Sequence, residues 1–514
     1  MTAAQQAARW LKGAGVEWIA TLCGHGLDPL FAAARDAGLR LIDARNEQTA
    51  AYIADTAGRL TGRPGVCAVS SGLAHVNALS GVANAWFDGA PMLLISGSAA
   101  VETAGMGHFQ DLDQVALARP ITRYARVIDC ASRTTHILNE AWEAACGPVP
   151  GPVHLTFPMD IQNAEVRTAI APVSIPRGAA ADDPAEAAGA LARAERPLLI
   201  AGSGLHYSGH GAALLRFAEA QSIPVVTPIW DRGVVPGPSP VFQGVLGAAT
   251  GGPRLLPDAD CMVLAGAVND YRTGYLQPDA LAVGVRVVSC DLGWNEMAAA
   301  YDQAGGRPHT AWLAEARRRR DAHIAAVRQR GAEQAQAGQH AIDLMDALEA
   351  TLSDDAMLLI DGGSIGQWAH QLLATRYPGH WLTCGRSGVV GWGLGGAMGA
   401  RLVYPERPVV LLSGDGSFTF NVAEIECAVR QSLHFVAIVA DDLGWGITRL
   451  GHVRQFGSPI SSSLGPIAFD QLAVSLGARG QRVERREELA PAIAAAMREP
   501  AVTVLHVPIV GGNP

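Results

Sequence analysis

Short apolar runs alternate with alanine-rich helical stretches along the whole 514-residue chain. Such runs stand at 65–70 (GVCAVS), 91–96 (PMLLIS), 197–201 (PLLIA), 261–265 (CMVLA), 285–290 (VRVVSC), 357–361 (MLLID), 408–413 (PVVLLS) and 435–440 (FVAIVA). A strand buried on both faces has no polar side to show, and helical crossovers are what join parallel strands. The pattern therefore predicts an α/β fold of mainly parallel sheets covered by helices. The length allows about three domains at roughly 150 residues each. Residues 164–187 are rich in Pro and Ala and read as a linker. Residues 316–340 carry Arg317 to Arg320 and then a Gln/Ala/Gly-rich run, which reads as a surface helix leading into a connection. The expected domains are 1–165, 185–325 and 340–514, each a mainly parallel sheet covered by helices. There is no tight sequence repeat.

Composition removes several function classes. Net charge is −9, which argues against nucleic acid or an anionic membrane as partner. No apolar run reaches the roughly 20 residues of a membrane helix. The N-terminus reads as an ordinary helix rather than a signal peptide, so the expected location is cytoplasmic. None of the eight cysteines forms a C-x-x-C pair, and most sit in apolar runs, so buried thiols are expected rather than zinc sites or disulfides. Lys12 is the only lysine. A P-loop needs a lysine after its glycines, and there is none. A pyridoxal Schiff base would have to use Lys12, on the predicted first helix.

The strongest motif begins at Pro408. The strand PVVLLS runs into Gly414-Asp415-Gly416-Ser417-Phe418, a helix follows, and the strand FVAIVA ends at Asp441-Asp442-Leu443-Gly444. In a strand–helix–strand unit, both acidic turns lie at the C-terminal sheet edge, where such folds bind ligands. Two carboxylates and turn carbonyls suit a hard cation such as Mg²⁺. The glycines allow close backbone approach, and their N–H groups can face a phosphate. A plain turn would account for Gly and Asp alone. The second acidic turn at the matching position favours a metal-bridged diphosphate.

The stretch 414–444 resembles the thiamine diphosphate signature, which opens with G-D-G and closes with a pair of Asn or Asn/Asp residues. The resemblance implies that Asp415, the Asp442 side chain and the Gly444 carbonyl bind Mg²⁺. It also implies that Gly414, Gly416 and Ser417 line the diphosphate. Asp442 departs from the usual asparagine; its extra charge suits the cation and disfavours the diphosphate. Residues 43–64 (DARNEQTAAYIADTAGRLTGRP) resemble the start of the family's pyrimidine-binding domain, which implies that Glu47 is the catalytic glutamate. A carboxyl group hydrogen-bonded to the aminopyrimidine N1′ favours the imino tautomer that generates the ylid. A lone Glu at a helix N-terminus is otherwise a dipole or capping contact. Residues 71–98 resemble the segment lining the pyrimidine site, including Asn77, and 107–123 the loop after it. Residues 361–368 (DGGSIGQW), with Gly363 and Ser364, and 385–400 (GRSGVVGWGLGGAMGA), with Val390, resemble the diphosphate and thiazolium segments. The style is nearest to acetolactate synthase, the 2-hydroxyacyl-CoA lyases and oxalyl-CoA decarboxylase, and benzaldehyde lyase. In that group the active site lies at a subunit interface, which implies a homodimer or homotetramer.

Gly391, Gly393 and Gly396 spell G-x-G-x-x-G, a dinucleotide fingerprint. The run before Gly391 is a poor strand, however, and a close-packed helix start explains these glycines better. Gly202 and Gly204 follow the strand PLLIA and read either as a phosphate site for FAD, ADP or CoA or as a tight turn. His75 stands where relatives have a different pattern, so it is either an acid/base group or a packing residue. Val390 is a smaller prop than relatives place under the thiazolium. Gln110 ranks first and His25 second among polar groups facing the substrate, with His108 nearby. Trp445 and Arg449 follow the metal turn, and Arg449 either binds a carboxylate or faces solvent.

Three functions follow. The first is an acetolactate synthase-like carboligase or decarboxylase acting on a 2-oxo acid. The second is a lyase for a 2-hydroxyacyl-CoA or 2-hydroxyketone. The third is a catalytically degenerate cofactor-binding homologue. The expected substrates are a 2-oxo acid, an aldehyde or an acyl-CoA.

Overall fold

The computed structural model describes residues 1–167, 183–235, 237–246, 254–277, 281, 284–374, 381–512 and 514. Most of the expected 164–187 linker lies outside the described residues. Seventeen strands form three sheets among the described residues, all paired in parallel. The first six strands are β1 (Trp18–Leu22), β2 (Arg40–Asp43), β3 (Gly65–Val69), β4 (Met92–Ser98), β5 (Tyr124–Val127) and β6 (Pro152–Pro158). The central five are β7 (Pro197–Ala201), β8 (Val225–Pro228), β9 (Phe242–Leu246), β10 (Cys261–Ala265) and β11 (Arg286–Ser289). The last six are β12 (Met357–Asp361), β13 (Trp381–Thr383), β14 (Val409–Gly414), β15 (Val436–Asp441), β16 (Arg479–Arg482) and β17 (Thr503–Pro508). Helices that bear on the site are α1 (Ala3–Gly13), α2 (Glu47–Thr61), α3 (Leu73–Asp88), α4 (Ser203–Ser208) and α5 (Thr310–Gln334). Further along are α6 (Ser364–Leu372), α7 (Gly393–Val403), α8 (Asp415–Thr419), α9 (Glu424–Arg430) and α10 (Gly446–Phe456). None of the described helices is long and apolar enough to cross a membrane.

The chain packs as two compact units. The first comprises Met1–Gly178 with Trp392–Glu406 and Asn421–His434. Its sheet runs β2-β1-β3-β4-β6-β5. Strands β3 and β6 are buried along their whole length, which is why they lack an alternating pattern. Helix α1 starts on a capping box between Thr2 and Gln5 and buries Trp10 and Leu11. Lys12 Nζ donates to the Gly38 carbonyl. Helix α2 is buried from Thr49 to Leu60, between neighbours on several sides. One of them is α7, whose Gly399 lies so close that a Cβ there would stand 2.8 Å from the Ile53 carbonyl oxygen. The glycines of the G-x-G-x-x-G stretch thus open a helix that packs tightly on α2. Helices α2 and α3 share a buried ionic cluster, in which Arg59 pairs with Asp88 at 3.0 Å and Asn84 donates to Asp55 at 2.7 Å.

The second unit comprises Ala179–Gly391, Arg407–Phe420 and Phe435–Pro514. It holds two sheets, ordered β11-β10-β7-β8-β9 and β13-β12-β14-β15-β17-β16. The second of these repeats the strand order of the N-terminal sheet, although no sequence repeat announces it. Helix α5 takes up the expected arginine-rich surface helix, beginning earlier, at Thr310. It is anchored by buried Trp312, whose Nε1 donates to the Pro197 carbonyl at 2.8 Å. None of the eight cysteines, all of them among the described residues, forms a disulfide. Cys67, Cys261, Cys290 and Cys427 are buried as expected, whereas Cys23 and Cys130 are exposed.

Candidate active site

In the C-terminal sheet the chain order reverses between β12 and β14, so the loops after these two strands part to opposite sides and leave a crevice. A cavity of about 240 Å³ occupies that position. Gly362, Gly363 and Ser364 line it after β12, Gly414 to Ser417 after β14, and Asp442, Gly444 and Trp445 after β15. Val390 also reaches it, as do Ile509 and Gly512 near the C-terminus.

Asp415 ties two of these turns together. One carboxylate oxygen accepts from Gly416 N–H at 2.8 Å, and the other accepts from Gly444 N–H at 2.9 Å. Burial pushes its pKa up to about 7, and the charges of Asp442 and Asp441 add to that, against these two N–H groups. Burial also raises Asp442, opposed by Arg449. Asp441 is held below the usual range; burial works against this, but His506 and the Leu443 N–H outweigh it. His506 Nε2 lies 2.8 Å from Asp441 Oδ2, and its Nδ1 lies 3.3 Å from Asp470. Three carboxylates at one sheet edge make a site that favours a cation. Among the described residues no group of three or more His, Cys, Asp or Glu side chains is arranged to hold a metal by itself. A cation here would need carbonyl, diphosphate or water oxygens to complete its shell.

The other wall suits an anion. Helix α6 begins at Ser364 with no side-chain cap on its N-terminus. Ser364 Oγ is buried and has no hydrogen-bond partner among the described residues. The backbone is pared to fit: a Cβ on Gly363 would meet Ile447 at 2.8 Å, and one on Gly416 would meet Trp445 at 2.8 Å. A diphosphate end against Ser364 and the α6 N-terminus, with a cation between it and Asp415, fits this donor and acceptor set.

In the first unit, Asn46 caps α2 by accepting from Gln48 N–H at 2.9 Å, which places Glu47 in the first turn. Asn77 Nδ2 on α3 donates to Glu47 Oε2 at 3.0 Å. Gln110 lies at the start of α3: it accepts from Ser71 Oγ at 2.7 Å, and a Cβ on Gly72 would stand 2.6 Å from its own Cβ. The His25 carbonyl accepts from Ser70 Oγ at 2.6 Å, and its exposed ring packs edge-on at 5.9 Å from Phe109. Glu47 with Asn77, and Gln110 with His25, therefore gather at the C-terminal edge of the first sheet. His75 turns the other way. Its imidazole is fully buried, with Nδ1 2.8 Å from Ser96 Oγ and the ring 4.5 Å from that of His154. Burial lowers its pKa to about 4, so it is neutral. Sequence reasoning missed Glu424. Its buried carboxylate accepts from Arg45 N–H at 3.0 and 3.1 Å, holding the loop that carries Glu47. Asp43 pairs with Arg430 in the same loop. No local signal points to these pairs, because they join residues almost 400 positions apart.

The remaining glycine motifs have packing explanations. A Cβ on Gly391 would collide with Phe420. Gly202 and Gly204 lie against Gly266, where a Cβ on Gly204 would stand 2.9 Å from the Gly266 carbonyl oxygen. The Ser203 N–H opening α4 donates to Asp231 Oδ2 at 3.1 Å.

The class defined so far is a three-sheet α/β protein with an acidic, glycine-lined crevice at one sheet edge and a glutamate at another. Comparison with known proteins gives the family. The model for the thiamine pyrophosphate enzyme N-terminal TPP binding domain matches residues 1–117, that for the central domain 184–305, and that for the C-terminal TPP binding domain 361–507. A "Probable acetolactate synthase" of Mycobacterium bovis is 30% identical over 99% of this chain and 95% of its own. An "Acetolactate synthase isozyme 2 large subunit" of Escherichia coli is 28% identical over 99% and 96%. A "2-hydroxyacyl-CoA lyase 2" of Homo sapiens is 28% identical over 93% and 84%. The chain belongs to the thiamine pyrophosphate enzyme family, as a thiamine diphosphate-dependent enzyme that forms or breaks a carbon–carbon bond.

Proposed function

We propose that this protein is an acetolactate synthase-like carboligase and decarboxylase that takes a 2-oxo acid. A divalent cation, most simply Mg²⁺, would be held by Asp415, Asp442 and the Gly444 carbonyl. Ser364 and the α6 N-terminus would take the diphosphate, and Val390 would lie beside the thiazolium. The supporting observation is the crevice itself: Asp415 bridges two turns on one side, and the unpartnered Ser364 Oγ waits on the other. When bound, thiamine diphosphate supplies an electron sink for the carbanion next to a carbonyl.

The chain's own residues supply the rest. Glu47 is assigned the proton relay: Asn77 fixes Oε2, which leaves Oε1 to hold and release a proton at the pyrimidine N1′. Gln110 and His25 are the side chains assigned to orient the substrate. His75 is assigned a packing role. Asn77 borders exposed apolar side chains on α3, Leu73 at 68% and Val76 at 39% exposure, which supports covering by a second copy in a homodimer or homotetramer.

Purified protein with pyruvate, thiamine diphosphate and Mg²⁺ is expected to release CO₂ and give acetolactate or acetoin, and the Glu47→Gln variant is expected to give neither. No product across a panel of 2-oxo acids would count against the assignment. Cleavage of a 2-hydroxyacyl-CoA is the second assignment. Arg449 favours it, because its guanidinium is engaged by Asp442 and two carbonyls and so is not free for a substrate carboxylate. Release of free CoA-bearing product from a 2-hydroxyacyl-CoA, with no turnover of pyruvate, would decide for it.

A further inference from the structure

The turn after β15 holds one cation against one carboxylate. Arg449, on α10, places Nη2 3.2 Å from Asp442 Oδ2, while Nη1 donates to the Asp442 carbonyl at 3.0 Å and the Leu443 carbonyl at 3.1 Å. Leu443 has φ +55°, a costly conformation for a branched side chain. Arg449 on its carbonyl, and Asp441 Oδ1 on its N–H at 3.1 Å, hold it there. The surrounding backbone is cut back to admit the guanidinium. A Cβ on Gly444 would stand 2.6 Å from Nη1, and one on Gly511 would stand 2.8 Å from Nη2. The side chains are 9% exposed for Asp442 and 23% for Arg449, so water screens the pair only partly.

A guanidinium on one oxygen of a carboxylate leaves the other oxygen as an acceptor with most of the charge cancelled. That is what a carboxamide offers: one acceptor oxygen and no net charge. We propose that Arg449 sets the charge of the metal turn by forming a neutral unit with Asp442, so that an anionic diphosphate can settle beside a cation held there. It rests on the cation and diphosphate assignment made above. Without Arg449 the turn gains a full negative charge beside Asp415 and Asp441. A bare divalent cation is then attracted more strongly and a diphosphate less strongly. A purely structural role for Arg449 would weaken both.

The test uses the full chain as wild type, R449Q, D442N and the double variant. Mn²⁺ binding without cofactor is read by calorimetry or electron paramagnetic resonance. Thiamine diphosphate binding at saturating Mg²⁺ is read by calorimetry or by quenching of Trp445, which lines the cavity. R449Q is expected to bind thiamine diphosphate about tenfold more weakly, as one uncompensated charge at close range implies, while Mn²⁺ binding holds or tightens. The double variant is expected to return to within about threefold of wild type for thiamine diphosphate, since the two side chains are directly coupled. Weakening of both ligands in R449Q, or no recovery in the double variant, overturns the inference. So does an R449Q that binds thiamine diphosphate as wild type does. Should R449Q fail to fold, D442N alone carries the test: thiamine diphosphate is expected to bind more tightly and Mn²⁺ less tightly, and the reverse overturns the inference. A wild type that binds no thiamine diphosphate removes the cofactor assignment and this inference with it.

Discussion

The N-terminal and C-terminal sheets share one strand order but use it differently. In both, the chain reverses direction across the sheet between the first and third strands, the position where parallel sheets open a ligand crevice. The C-terminal sheet keeps that crevice open, as the cavity between the loops after β12 and β14. The N-terminal sheet closes it. Ser70 Oγ donates to the His25 carbonyl across the gap, and Gly24 is pressed so close that a Cβ there would stand 2.8 Å from Ser70 Oγ. Glu47, to which the proton relay is assigned, stands one loop outward, after β2. On the proposed assignment, one topology serves as an anchor in one place and as a platform for a proton-carrying side chain in the other.

If that division holds, the two sheets can be broken separately. Glu47→Gln is expected to cut turnover by about 10²–10⁴-fold while leaving thiamine diphosphate affinity nearly unchanged, because it removes a proton donor and no anchor. Asp415→Asn is expected to cost cofactor and metal affinity by about 10–100-fold, with activity partly restored at high Mg²⁺. Direct binding measurements alongside steady-state rates distinguish the two. A Glu47→Gln protein that has lost its cofactor would collapse the distinction between platform and anchor.

How much of this was readable beforehand depends on where each element gets its stability. Buried strands such as β7, β10 and β12 were legible to the residue, because continuous apolar runs have few alternatives to a buried strand. Strand β16, Arg479–Arg482 (RGQR), carries no such run; it is an edge strand whose register comes from β17 alone. The turns that carry Asp415 and Asp442 were legible because each is written in a few consecutive residues. The inward turn of His75 was not, since it depends on Ser96 and His154 from two other strands. The grip of Glu424 on the Glu47 loop was hidden for the same reason.

The platform also carries a pH signature away from the site. Helices α2 and α3, which present Glu47 and Asn77, are joined by a buried cluster with one cation and two carboxylates, Arg59 with Asp88 and Asp55. Burial pushes Asp55 up to about 7, and the Asp88 charge adds to this against Arg59 and Asn84. Asp55 therefore holds its proton in the folded chain and loses it in the unfolded chain between about pH 4 and 7, so its contribution to stability falls as pH rises through that window. The loss is complete above the folded value. Asp55→Asn keeps an acceptor for Asn84 and balances the cluster at one charge of each sign. It is expected to stabilise the protein by on the order of 2 kcal/mol at pH 8 and by much less at pH 5, in urea titrations. An equal effect at both pH values would mean that Asp55 is ionised without cost and that the platform is not pH-sensitive.

The smallest expected effect falls on the anchor. Ser364 Oγ is buried and has no partner among the described residues. If a diphosphate oxygen is its partner, Ser364→Ala should weaken thiamine diphosphate by roughly threefold to tenfold, the net worth of one ordinary hydrogen bond. Removing an unsatisfied hydroxyl should leave the ligand-free protein as stable as before or slightly more so. The opposite signs matter: a serine that merely supports the start of α6 would lose stability on truncation and leave cofactor affinity alone. Thermal melts with and without thiamine diphosphate read both quantities at once, because ligand stabilisation scales with affinity. A destabilised variant with unchanged ligand shift would place the diphosphate elsewhere in the crevice, and with it the boundary between anchor and platform.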